Sequence, residues 1–198
     1  MAEIYRSWRS DVRRTLPIDG SAAARIVAFF LTQEIWSVTV FRTGQWMRTL
    51  PRPLRLLNWI WFTPWHKLVQ IATGIDIPSS VKAGRGLYIC HPGGIVLNGG
   101  VVLGSDVNLS QQVTIGVGGF GDRRGTPVIG DRVYIGPGAK IFGPITIGDE
   151  SIIGANAVVN RSVPPRSIVV GVPGRVIREA TEAEIAQVIY GNDPPAGT

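Results

Sequence analysis

Aliphatic residues recur every six positions along the second half of this chain, and no other feature restricts its fold as much. From residue 129 onward they are Ile129, Ile135, Ile141, Ile147, Ile153 and Val159. Four residues after each comes a second small or apolar residue: Val133, Ala139, Ile145, Ser151, Ala157 and Val163. An earlier run reads Leu97, Leu103, Leu109 and Ile115, and the earliest reads Ile77, Ala83, Ile89 and Ile95. A period of six matches neither the helical period of about 3.6 nor the two-residue alternation of a long strand. It matches a three-sided coil of about 18 residues per turn, one short strand per side, with each aliphatic stacked on its equivalent in the next turn. Such stacking buries an apolar column that no single repeat can bury alone. Gly130, Gly136, Gly148 and Gly154 directly follow their aliphatic partners and are read as corners whose backbone conformation a Cβ would penalise.

The count slips at two places. One is the stretch Gly93–Leu97. The other lies between Ile115 and Ile129, where the residues from Val117 to Pro127 (VGGFGDRRGTP) offer no inward aliphatic at the expected place. A loop rich in glycine and arginine is expected to leave the coil there, and loops on rigid scaffolds carry binding residues disproportionately often. His91 sits just before the first slip, beside Gly93 and Gly94 that let another molecule approach, and suits a general base. The other histidine, His66, stands among tryptophans and is read as structural.

The first third of the chain is of a different kind. Residues 23–49 read as one helix ended by Pro51 and Pro53, and residues 54–72 as a second helix interrupted near Pro64. All six tryptophans precede residue 66. Ten Arg or Lys stand against four Asp or Glu in residues 1–72, whereas the remainder holds ten of each, so the whole net charge of +6 belongs to this region. Its longest apolar stretch, Ile26–Phe41, is interrupted by Glu34 and falls short of the ~20 apolar residues that span a bilayer. Two readings stay open: a helical cap that packs on the coil and on a neighbouring subunit, or a surface that meets lipid headgroups. The single cysteine, Cys90, excludes an internal disulfide and fits a reduced, cytoplasmic protein, at most peripheral to the inner membrane face. No signal peptide is read at the start. Beyond the ladder, Thr181–Tyr190 reads as a short helix and the final PPAGT as a disordered tail.

One stretch carries a specific likeness. Asp76–Ile77, GRGLYI at 84–89, His91 with GIV at 94–96, QxVTIG at 111–116, IGPGAKI at 135–141, IGANAVV at 153–159, VPP at 163–165 and GVPGR at 171–175 occur in the order found in one family. By these motifs the chain resembles the serine O-acetyltransferases and their short relatives from polysaccharide gene clusters, all hexapeptide-repeat acetyltransferases. The resemblance implies a mainly β fold, a left-handed parallel β-helix over residues 75–178. An α-helical region (1–74) would precede it, and a C-terminal helix and tail (179–198) would follow. It implies acetyl-CoA as co-substrate, no metal, no nucleic-acid partner and a homotrimer, with a dimer of trimers left open. His91 takes the place of the catalytic base and Asp76 that of the residue orienting it. Gly116, Val117, Gly118, Gly119, Gly136, Pro137, Gly154 and Ala155 take the places that line the CoA groove between neighbouring coils, with Arg175 and Arg178 toward the nucleotide phosphates. Pro137 has no N–H to offer a pantetheine carbonyl. On the acceptor side stand Cys90, Arg123, Arg124 and Thr126. Serine-specific members carry an aspartate where this chain has Cys90, and an Arg-His pair where it has Gly125–Thr126. Losing charged partners for both ends of a zwitterion favours a sugar hydroxyl of an exopolysaccharide or glycan precursor as acceptor. Serine itself, and a silent β-helix scaffold, are the alternatives.

Overall fold

The computed structural model describes residues 2–16 and 21–191. Four helices open the chain: α1 (Ala2–Thr15), α2 (Ala22–Leu31), α3 (Gln33–Arg48) and α4 (Arg52–Thr73). The expected single helix over 23–49 is two, because Thr32 leaves the helical region (φ −94°, ψ 102°) and starts α3 afresh. The expected interruption at Pro64 does not occur; α4 runs unbroken through it. Pro64 and Ile60 both lie on the exposed side, so the carbonyl deprived of its donor is left to water. Helix α1 falls within the helical region expected over residues 1–74, where the sequence pattern delimits no separate helix. It is anchored by Asp11, fully buried, whose carboxylate accepts from Arg42 Nε (2.7 Å) and from the Leu87 N–H (2.8 Å). Arg42 in turn donates to the Ala83 and Gly84 carbonyls (2.9 and 2.5 Å), which ties the helices to the first turn of the coil.

From Ile75 the chain winds into a left-handed parallel β-helix. Its first face stacks β1 (Ile75–Asp76), β4 (Ile95–Leu97), β7 (Thr114–Gly116), β10 (Lys140–Phe142) and β13 (Val158–Val159). The second face stacks β2 (Lys82–Ala83), β5 (Val102–Leu103), β8 (Val128–Ile129) and β11 (Thr146–Ile147). The third stacks β3 (Tyr88–Ile89), β6 (Asn108–Leu109), β9 (Tyr134–Ile135), β12 (Ile152–Ile153) and β14 (Ser167–Val170). The predicted aliphatics fill the axis: Ile115, Ile135, Ile141, Ile147 and Ile153 are wholly buried, as are Val133, Ala139, Ser151 and Ala157.

Register measures each slip. Asn108 follows Tyr88 by 20 residues, Val128 follows Val102 by 26, and Val158 follows Lys140 by 18. Taking 18 as the regular turn, the first slip adds two residues and the second adds eight. A third slip, not anticipated, removes two: Val163 bridges Ile147 and Ile168 pairs with Ile152, each 16 residues on. The regular ladder ends at β14, where β15 (Arg175–Glu179) folds back antiparallel. A sixfold aliphatic count cannot reveal that reversal. Helix α5 (Glu182–Tyr190) follows, closed by a capping box between Thr181 and Glu184. The PPAGT tail lies outside the described residues.

The glycines after the aliphatics do not serve the purpose expected of them. The left-handed corner positions are held instead by Asp106, Gln112, Arg132, Glu150, Asn156 and Arg166, with φ between 52° and 61°, and by Gly86 and Gly138, neither of which follows an inward aliphatic directly. A Cβ on Gly136 would stand 2.8 Å from the Ile153 carbonyl oxygen, and one on Gly130 2.8 Å from the Asp149 amide nitrogen. These positions are glycine because the next coil passes too close for a side chain.

Candidate active site

The corner that carries His91 joins β3 to β4 and holds the two added residues. Gly93 (φ 106°) and Gly94 (φ 69°) turn it in conformations an L side chain rarely adopts, and the Gln112 N–H donates to the Gly93 carbonyl (2.8 Å). His91 itself is exposed. Gly74, the left-handed cap ending α4, packs onto this corner: a Cβ there would lie 3.2 Å from Gly93 Cα and from the Gly94 nitrogen. The joint between α4 and β1 is thereby pressed against the histidine corner, and Asp76 pairs with Val96 on the adjoining strand.

Asp76, expected to orient His91, accepts no hydrogen bond from it among the described residues. The Asp76 charge acts on the helical histidine. Burial lowers the His66 pKa, and Asp76 opposes that lowering. His66 stacks on Phe62, with ring centroids 5.7 Å apart, and lines a small cavity with Ser37, Gln70, Ile75 and Ile77. Catalytic contacts commonly tighten only once substrate is bound.

Two residues beyond each inward aliphatic of the third face come His91, Gln111, Pro137 and Ala155, which the register places along one edge of the prism. The predicted CoA positions at 136–137 and 154–155 therefore share an edge with the base. Their backbone is less available than expected. The Gly136 and Gly154 N–H groups donate to the Ile153 and Val169 carbonyls (2.8 Å each), and Gly118 and Gly125 exchange a reciprocal pair of bonds at 3.0 Å. Arg178 is also committed, paired through both terminal nitrogens to Glu184 (2.9 and 2.7 Å). Arg175 is exposed and bonds only its neighbour's carbonyl among the described contacts.

Cys90, beside His91, is pushed up in pKa by burial, against a lowering hydrogen bond with Ser110. Its neutral thiol cannot replace a carboxylate. The long loop is a small hairpin closed by Gly118 and Gly125, with a short 3-10 turn (Gly121–Arg123) at its tip and Phe120 94% exposed. Arg123 and Arg124 are exposed on it, and Thr126 Oγ1 donates to the Gly100 carbonyl (2.8 Å). The hairpin springs from the edge between the first and second faces, whereas Cys90 and His91 occupy the edge between the third and first. One chain thus sets the predicted acceptor residues on two neighbouring edges rather than in one place.

A coil of hexapeptide repeats with a histidine corner and an extruded loop defines a hexapeptide-repeat transferase, and the model of the bacterial transferase hexapeptide (six repeats) matches residues 126–161. The chain is 37% identical over 172 residues to a serine acetyltransferase of Mycobacterium tuberculosis, covering 87% of this chain and 72% of that one. The serine acetyltransferase structure from Vibrio cholerae O1 biovar El Tor N16961 superposes on it with a TM-score of 0.77 at 27% identity, covering all of this chain and 73% of the other. The Neisseria gonorrhoeae serine acetyltransferase structure in complex with serine gives a TM-score of 0.70 at 28% identity, over 88% and 69% of the respective chains. The chain belongs to the serine acetyltransferase family, and it is an O-acetyltransferase that takes its acetyl group from acetyl-CoA.

Proposed function

We propose that the acetyl acceptor is the side-chain hydroxyl of L-serine. The observation that carries this reading is the 37% identity sustained across 72% of the Mycobacterium tuberculosis serine acetyltransferase. The likeness to a chain solved with serine bound supports it. It replaces the sugar acceptor expected from the sequence, since the three relatives above all carry serine in their names. In this reading neutral His91 takes the hydroxyl proton as the oxygen attacks the thioester carbonyl. A backbone N–H stabilises the oxyanion, the C–S bond breaks, and the imidazolium returns its proton to the departing CoA thiolate. Asp76 orients the ring once the site is filled, Arg175 meets a CoA phosphate, and Ala155 and Pro137 line the groove. Arg123 or Arg124 meets the serine carboxylate. Because those arginines and His91 lie on different edges, the complete site is assembled between neighbouring chains of a homotrimer.

One observation favours a neutral acceptor such as a sugar hydroxyl. The Cys90 thiol is held protonated, and Thr126 is already donating to Gly100, so neither supplies charge to a zwitterion. Release of free CoA thiol from acetyl-CoA, measured with L-serine beside nucleotide sugars and oligosaccharides, separates the two. Serine-dependent turnover is expected; turnover on glycans alone overturns the serine assignment. His91→Ala should lower kcat by about 10²–10⁴-fold with the thermal transition unchanged. Unaltered turnover in that variant refutes the base.

A further inference from the structure

Helix α4 turns one stripe inward, through Phe62, Val69 and Thr73, onto α3. Its other sides are apolar as well. Leu57, Ile60, Trp61, Leu68 and Ile71 are all exposed, Ile71 to 81%. An ordinary surface helix reverses this pattern, with polar residues outward. The charges around the face are of one sign. No Asp or Glu occurs between Glu34 and Asp76, and Arg48, Arg52, Arg55 and Lys67 form no ion pair among the described residues. At the N-terminal end of α4, Arg48 and Arg55 combine with Leu56 and Trp59 to line an open groove of about 370 Å³. Two guanidiniums, an indole and a leucine lining one groove suit a phosphate attached to an acyl chain.

We propose that this face of α4 docks on an anionic phospholipid surface, with the helix lying in the plane of the headgroups. The charge decides between occupants. A second copy docked face to face would bring four cations against four cations with no carboxylate to answer them, whereas anionic headgroups answer all of them and the acyl region accepts the leucines and tryptophans. At 22 residues α4 is about 33 Å long. No described helix is long and apolar enough to cross a membrane, so docking is along the surface.

Flotation of the full chain with vesicles of phosphatidylcholine mixed with phosphatidylglycerol, and with phosphatidylcholine alone, tests this at low and high salt. The chain should float with the anionic vesicles at low salt and be released by salt. Arg55→Glu should weaken binding at least roughly tenfold, and Ile60→Asp should do the same. Both variants should keep the acetyl-CoA turnover of the parent, which shows that they are folded. Absence of anionic-vesicle binding at low salt overturns the proposal, as does binding indifferent to both substitutions. A sedimenting assembly larger than the trimer that Ile60→Asp breaks down, without vesicle binding, assigns the face to a second copy and also overturns it.

Discussion

Asp11 is the residue on which the joint between helices and coil depends. It holds Arg42 and the Leu87 amide at once, and no water reaches it. Asp11→Ala would leave the Arg42 guanidinium buried without its counter-charge, a loss of about 3–5 kcal/mol. Chemical denaturation should register it as a lower midpoint, and Asp11→Leu together with Arg42→Met should recover much of the loss. The importance of Asp11 was not legible in the sequence. An acid among arginines at a chain start reads as solvated charge, and only the fold reveals that Gly84, Gly86 and Leu87 pass beside it. His91 was legible for the opposite reason. It stands where the aliphatic count breaks, and a break in a strict period is visible without coordinates. The nearness of Asp76 to His66 was not, since it depends on which helix comes to rest against β1.

Among the elements, the coil faces were readable strand by strand because inward aliphatics repeat with a fixed step, and the helices were readable only in outline. Thr32 and Pro64 show the limit. A break is decided by local backbone geometry in one case, and a proline is tolerated in the other because its turn faces water. Helix α5 was recognised from its pattern, but its clasp was not. Arg178, assigned to phosphate, instead grips Glu184, which also closes the Thr181 cap. Arg178 and the Thr181 N–H and hydroxyl hold the Glu184 carboxyl down at about 2 against an ordinary value of 4.5. A carboxylate depressed in the folded state stabilises that state above its unfolded pKa. The clasp is therefore complete above about pH 4.5 and is lost as the pH falls toward 2. The protection of the α5 amides, their exchange compared with the intrinsic rate at each pH, should fall over that acid window. Thr181→Ala should lower it already at neutral pH, for a cost of about 1 kcal/mol.

For the whole molecule, the three slips divide the labour. The first opens the corner of His91, the second extrudes the hairpin, and the third shortens the last turn before β15 reverses. The charged helices at one end, and α5 laid along the third face until its Ile189 carbonyl accepts from Arg14 of α1, are what a bare repeat would lack. The reaction class was readable from the order of motifs, whereas the acceptor was not. Its recognition turns on Cys90, Gly125 and Thr126, where absent charges argue one way and overall kinship the other.

The separation of His91 from the hairpin by one face of the prism also carries a genetic meaning. If each site is shared, a chain with His91→Ala still lends an intact hairpin to its neighbour. A chain lacking residues 118–125 still lends an intact base. Two preparations, each inactive alone, should therefore complement when unfolded and refolded together, and the recovered turnover should vary with their mixing ratio. Co-refolding without any recovery would mean that each subunit works alone.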